Sequence, residues 1–189
     1  MEYGLNTERN KEACSLMSEE HGHIQKVLYP SGTDFDGKNL SVLLDQYKIF
    51  VETSEQLVAR RQGVNTFFLS INSLLLTGIG LLARELTKAP ASVFAALAIC
   101  VAGILLCLGW YRLLCSYAQL NHGKFVVIHE LERHLPASLF QAEWEALGAG
   151  RNVKTYRPCT GTEKSIAVIF SVLYAVGGIS SIAWVLLNQ

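Results

Sequence analysis

Three stretches of the chain are apolar and free of any charge: Val64 to Ala83, Ala89 to Tyr111 and Ser165 to Gln189, of 20, 23 and 25 residues. A bilayer's hydrocarbon core is about 30 Å thick and a helix rises about 1.5 Å per residue, so roughly 20 apolar residues cross it. The pattern therefore predicts transmembrane helices over 64–83, 89–111 and 165–187. Elsewhere apolar residues recur at helical intervals among charges. Leu40, Leu43, Leu44, Tyr47, Val51, Leu57 and Val58 follow three- and four-residue spacing, interleaved with Asp45, Lys48, Glu52 and Glu55, which predicts an amphipathic helix over 39–63. Asn39 is its N-cap, and with no Gly or Pro before Gly63 the helix should run on into span one.

The connections follow from the same pattern. Residues 84–88 form a tight turn, and Pro90 suits the first turn of span two, where its missing N–H leaves nothing unsatisfied. Leu114, Tyr117, Asn121, Phe125, Ile128, Leu131 and Leu135 then carry helical spacing through charged surroundings to Pro136, so span two continues as an amphipathic stalk. Ser138 with Gln141 reads as a capping box for a short helix with Phe140, Trp144 and Leu147 on one face, ended by Gly148. Ala149 to Gly161 is a basic, turn-rich linker, and Thr162 with Glu163 can cap span three. Residues 1–38, with seven acidic and three basic residues before Lys38 and several Gly and Pro, read as a mostly flexible acidic arm. Strand-like alternation and internal repeats are missing. The expected fold is all-α: a multi-pass membrane protein with three transmembrane helices and long amphipathic cytoplasmic helical extensions, residues 112–164 forming the central one.

Composition and charge then narrow the compartment. Half of the residues are apolar and the net charge is zero, which argues against a disordered chain and against a strongly basic nucleic-acid binder. Five cysteines follow no paired spacing, so neither a disulfide framework nor a zinc cluster is implied. Lys48, Arg60 and Arg61 precede span one, and Arg112, Lys124, Arg151, Lys154, Arg157 and Lys164 lie between spans two and three. Only Arg84 and Lys88 occupy the turn, and the tail has no basic residue. The positive-inside rule then puts the N-terminus and central segment in the cytoplasm, with the turn and the C-terminus periplasmic.

Catalytic signals are poor. His129 and His134 bracket a sequence like the zinc-protease helix motif, but they are five apart and point about 140° apart on a helix, so they cannot grip one metal. His21 and His23 are an isolated pair. With no phosphate loop, no nucleophile elbow and no ionisable residue inside the spans, we expect no enzyme, no cofactor, no metal and no proton-coupled carrier.

The stronger feature is polarity within span one, at Asn65, Ser70, Asn72, Ser73 and Thr77. Asn65, Asn72 and Ser73 are candidates for interhelical ties or for a pore lining, because an amide in hydrocarbon needs a partner or water. Small residues form a stripe at Ala96, Cys100, Gly103 and Cys107 and another at Ala167, Ser171, Ala175 and Gly178, which permit close helix approach and suggest oligomers. Arg60 and Arg61 sit at headgroup level, as anchors for anionic membrane lipids or as part of an anion site. The segment from Tyr111 to Lys164 has seven basic and five acidic residues. With Lys124, Tyr156 and Arg157, the arginines make a candidate ligand set for a nucleotide or oligonucleotide once subunits surround an axis.

The run Tyr47-Lys48-Ile49-Phe50-Val51-Glu52, then Arg60-Arg61 and Asn65-Thr66-Phe67-Phe68-Leu69-Ser70-Ile71-Asn72, resembles the RipA family of octameric bacterial membrane proteins. Downstream, Tyr117, Leu120-Asn121, Lys124-Phe125, Ile128, Glu130-Leu131-Glu132, Leu135-Pro136, Glu143-Trp144 and Tyr156-Arg157-Pro158 are similar to its cytoplasmic segment. The likeness covers Leu40 to the C-terminus. It implies a homo-octamer of the bacterial inner membrane with no catalytic residues. A wider likeness links the Arg-Arg and Phe-Phe-Leu-Ser-x-Asn elements to small helical membrane effectors found beside nucleotide-signalling enzymes in phage defence. The expected function is thus a non-enzymatic oligomer whose cytoplasmic helices sense a ligand and control a pore, with a non-conducting scaffold or stress-adaptation protein as the alternative.

Overall fold

The computed structural model describes residues 23–29, 37–83, 90–149 and 159–187, and every element among them is helical. A short helix α1 covers 23–28, followed by α2 (Gly37–Ala83), α3 (Pro90–Glu132), α4 (Leu139–Ala146) and α5 (Cys159–Leu187). Helices α2, α3 and α5 are each long and apolar enough to cross a membrane. As the uninterrupted sequence from Asn39 to Gly63 predicts, α2 is one helix of 47 residues that carries both the amphipathic segment and span one. Pro90 opens α3, which runs for 43 residues through span two and its stalk.

The chain divides into two compact units: Met1–Thr53 with Gly123–Thr155, and Ser54–His122 with Tyr156–Gln189. The first is built on Leu43, Tyr47, Ile128 and Leu131, with Tyr29, Leu40, Phe50 and Phe140 against them. Part of the expected flexible arm is ordered here. Residues 23–28 are helical, and Tyr29 packs on this core with its ring edge-on to His134 at 5.0 Å; an aromatic side chain with apolar neighbours outweighs the polar composition around it. The turn over 84–88 lies outside the described residues, as do most of the arm and of the basic linker.

Three caps differ from expectation. Helix α2 already starts at Gly37, which leaves Asn39 inside its first turn and not at its N-cap. Ser138 makes no capping hydrogen bond. Its hydroxyl donates to the Glu132 carbonyl at 3.4 Å, and the carboxylate of Glu132 accepts from the N–H groups of Phe140 (2.8 Å) and Gln141 (3.1 Å). A charged acceptor at a helix N-terminus is stronger than a hydroxyl, and α3 ends where it can supply one. At span three, α5 already starts at Cys159, which leaves Thr162 and Glu163 inside its first turns. Gly148, at φ 77°, closes the segment after α4 in the left-handed conformation expected of it.

Candidate functional site

In the span-bearing unit, Phe68, Trp110, Leu114 and Ala167 form the core, with the rings of Phe68 and Trp110 stacked at 5.6 Å. The amides of span one are built into it. Asn65 Oδ1 accepts from Trp110 Nε1 at 3.0 Å. Asn72 is 0% exposed; its Nδ2 donates to the Phe68 carbonyl (2.7 Å), its Oδ1 accepts from the Cys107 thiol (3.3 Å), and its own carbonyl accepts from Tyr174 Oη (3.0 Å). One residue thus ties α2 to α3 and α5, and every polar atom of the Asn72 amide has a partner inside the subunit.

The small-residue stripes serve the same core. Ala96, Cys100, Gly103 and Cys107 are buried, and the Tyr174 ring lies so close to Gly103 that a Cβ there would stand 2.5 Å from it. Gly177 and Gly178 approach Cys100 in turn. The α3 stripe is used within the subunit, because a bulky tyrosine on α5 needs a hole on α3; of the α5 stripe, Ala167 is buried and Gly178 meets Cys100, while Ser171 and Ala175 are half-buried.

What α2 turns outward is different. Thr66, Ser70, Ser73 and Thr77 are all exposed. At 100° per residue they fall within a sector of about 60°, on the side away from Phe68 and Asn72. Thr66 and Thr77 donate to the carbonyls of Gln62 (3.1 Å) and Ser73 (2.9 Å), one turn back. Sequence reasoning picked out Ser73 but missed Thr66 and the line as a whole; the 4-3-4 spacing was the signal that could have found it. The contrast with α5 is sharp: Val168, Ile169, Val172, Leu173, Val176, Ile179 and Ile182 point outward there, and the exposed hydroxyls of span three are Ser165, at its start, and Ser180.

The proposed anion set is not assembled among the described residues. Arg61 is engaged: its guanidinium is paired with the Glu163 carboxylate, Nε donating at 2.9 Å, and it donates to Thr160 Oγ1 at 2.9 Å. Lys124, in the other unit, donates to Thr53 Oγ1 at 2.8 Å and stands over the Phe50 ring. Arg60 is exposed. Tyr156 and Arg157 lie outside the described residues. Also among the described residues, no three His, Cys, Asp or Glu side chains gather as metal ligands.

In that first unit the geometry is organised around Glu132, which is 1% exposed and accepts a hydrogen bond from Tyr47 Oη at 3.0 Å as well as capping α4. Burial, together with this carboxylate, pushes the Tyr47 hydroxyl up to about 12. Glu130, equally buried, is paired with Arg133 at 3.1 Å.

An all-α chain with three apolar helices, joined across their interior by amide and phenol hydrogen bonds, defines a polytopic membrane protein. The model of the octameric membrane protein family matches residues 44–184, and the chain belongs to that family. It is therefore a membrane protein that assembles with copies of itself. No curated protein and no solved structure matches the chain.

Proposed function

We propose that the protein is a non-enzymatic effector of the bacterial inner membrane, an octamer that encloses a hydrated path along its axis and opens it when its cytoplasmic helices receive a signal. The outward hydroxyl line of span one carries this reading. Four hydroxyls in succession gain nothing against lipid, whereas the apolar surface of α5 suits it; an oligomer resolves the difference by turning α2 toward the axis and α5 toward the bilayer. Asn65 and Asn72, both bonded inside the subunit, then act as ties, and the lining is Thr66, Ser70, Ser73 and Thr77. The distribution of Lys and Arg supports a cytoplasmic N-terminus and a periplasmic C-terminus. A nucleotide or oligonucleotide is the signal to try first, given the basic residues between Tyr111 and Lys164. With Arg61 and Lys124 engaged in the subunit, a ligand would have to displace those bonds or bind elsewhere in that segment.

The test is ion flux from liposomes containing the purified protein, with cell extract or nucleotides added, beside the Ser70→Leu and Ser73→Leu variants. Flux that falls in both variants, with octamers intact by native mass, is the expected result. An assembled wild type that conducts under none of these conditions, and whose Ser73→Cys variant is inert to a charged thiol reagent, would leave the scaffold.

A further inference from the structure

We infer that neighbouring subunits meet along the flanks of α2, with Arg60 of one copy paired to Glu55 of the next. The inference rests on the proposal that α2 faces the axis. Copies inserted with one topology share a rotation axis along the membrane normal. Their ring is cyclic, and each contact joins two different faces of the chain. If the hydroxyl line points at the axis, those faces are the two sides of α2 next to it.

The sequence supplies both. Arg60, Phe67, Leu74 and Leu81 recur every seven residues and lie together on one side of the hydroxyls; the three apolar ones are 58%, 70% and 63% exposed. Glu55, Gln62, Leu69 and Leu76 recur at the same interval; Leu69, exposed, and Leu76, half-buried, lie on the other side, and the drift of about 20° per heptad in a straight helix brings Gln62 and Glu55 round toward the edge of the hydroxyl line. A strict seven-residue repeat is what keeps a seam facing its partner along two packed helices. The charges match as well. Arg60 and Glu55 are both exposed, and neither forms an ion pair within the described residues, in contrast to Arg61 beside it. In a cyclic ring equivalent residues share one height. Arg60 then stands about 7.5 Å along the axis from the neighbour's Glu55, a gap that two long side chains bridge. This gives Arg60 a protein partner, where the sequence suggested a lipid or an anion.

The experiment uses the full chain in membranes, with Cys14, Cys115 and Cys159 replaced by Ser. Leu74→Cys with Leu76→Cys in one chain should give, on mild oxidation, a ladder of cross-linked species up to the octamer. The two positions point away from each other on one helix, so a bond between them must join two copies. Either variant alone should give no ladder. Leu74→Cys alone linking to itself, or a double variant that stays unlinked in an intact octamer, overturns the contact. The charge swap is independent of cysteine chemistry: Arg60→Glu and Glu55→Arg should each lower the octamer fraction, by about tenfold in the dissociation constant, and the double variant should restore it. Single variants without effect, or a double variant no better than either, overturn the pair. A ladder and a rescue without ion flux would retain the interface and remove the conducting function; flux without either would do the reverse.

Discussion

Gly103 shows how tightly single residues are set in the span-bearing unit. Its missing side chain leaves room for the Tyr174 ring, whose hydroxyl reaches the Asn72 carbonyl. Gly103→Ala places a carbon 2.5 Å from that ring. We expect it to destabilise the subunit by about 1–3 kcal/mol, read by thermal unfolding in detergent, and Tyr174→Leu in the same chain to recover part of the loss by opening space. An additive double variant would show that the ring and the glycine do not oppose each other. Asn72 was legible in the sequence, because an amide in an uncharged span must find a partner. Which partner was not legible: Tyr174 lies 102 residues away, and only the docking of α5 brings its hydroxyl to an α2 carbonyl. The same holds for the stripe around Gly103, visible as small residues but silent about whether the filling ring belonged to the same chain.

Among the elements, α4 shows most clearly how a local sequence rule can lose to a distant group. Ser138 and Gln141 have the right spacing for a capping box, yet Glu132 at the end of α3 takes the amide protons, and Tyr47 on α2 holds that carboxylate in place. Glu132→Ala should cost about 1–3 kcal/mol, since it leaves two amides and a phenol without their acceptor. Faster hydrogen exchange at Phe140 and Gln141 would report it; unchanged exchange would return the cap to Ser138. Tyr47 adds a pH window. The fold raises its hydroxyl from 10.0 to about 12, so the protonated form is favoured. Stability from this bond is present below pH 10 and lost as pH rises toward 12. Circular dichroism should show an alkaline loosening in that range that Tyr47→Phe lacks. The long helices, by contrast, were fully legible, because uncharged length and an unbroken run from Asn39 to Gly63 leave no other structure.

For the whole molecule, the sequence disclosed the membrane and self-association, and it located the polarity in span one; it left open whether Asn65 and Asn72 tie helices together or line a pore, and the fold uses both as ties. Asn65 and Asn72 are the more polar side chains, and for that reason the fold turns them inward, Asn72 buried and Asn65 half-buried. The weaker hydroxyls remain outside. In the proposed ring, eight α2 helices in contact at about 10 Å would put their axes about 13 Å from the centre and leave an opening of about 15 Å once helix thickness is subtracted. Side chains as short as Ser and Thr cannot fill that width. The back-bonding of Thr66 and Thr77 has a consequence for what could pass. Each hydroxyl proton is turned into its own helix, so in the proposed ring those two residues would offer the axis oxygen lone pairs and no proton. At those two positions the wall would accept hydrogen bonds without giving them, which favours cations over chloride or phosphate. Under a potassium chloride gradient the reversal potential should accordingly lie toward potassium; a value toward chloride would mean that the hydroxyl protons turn outward in the assembled ring.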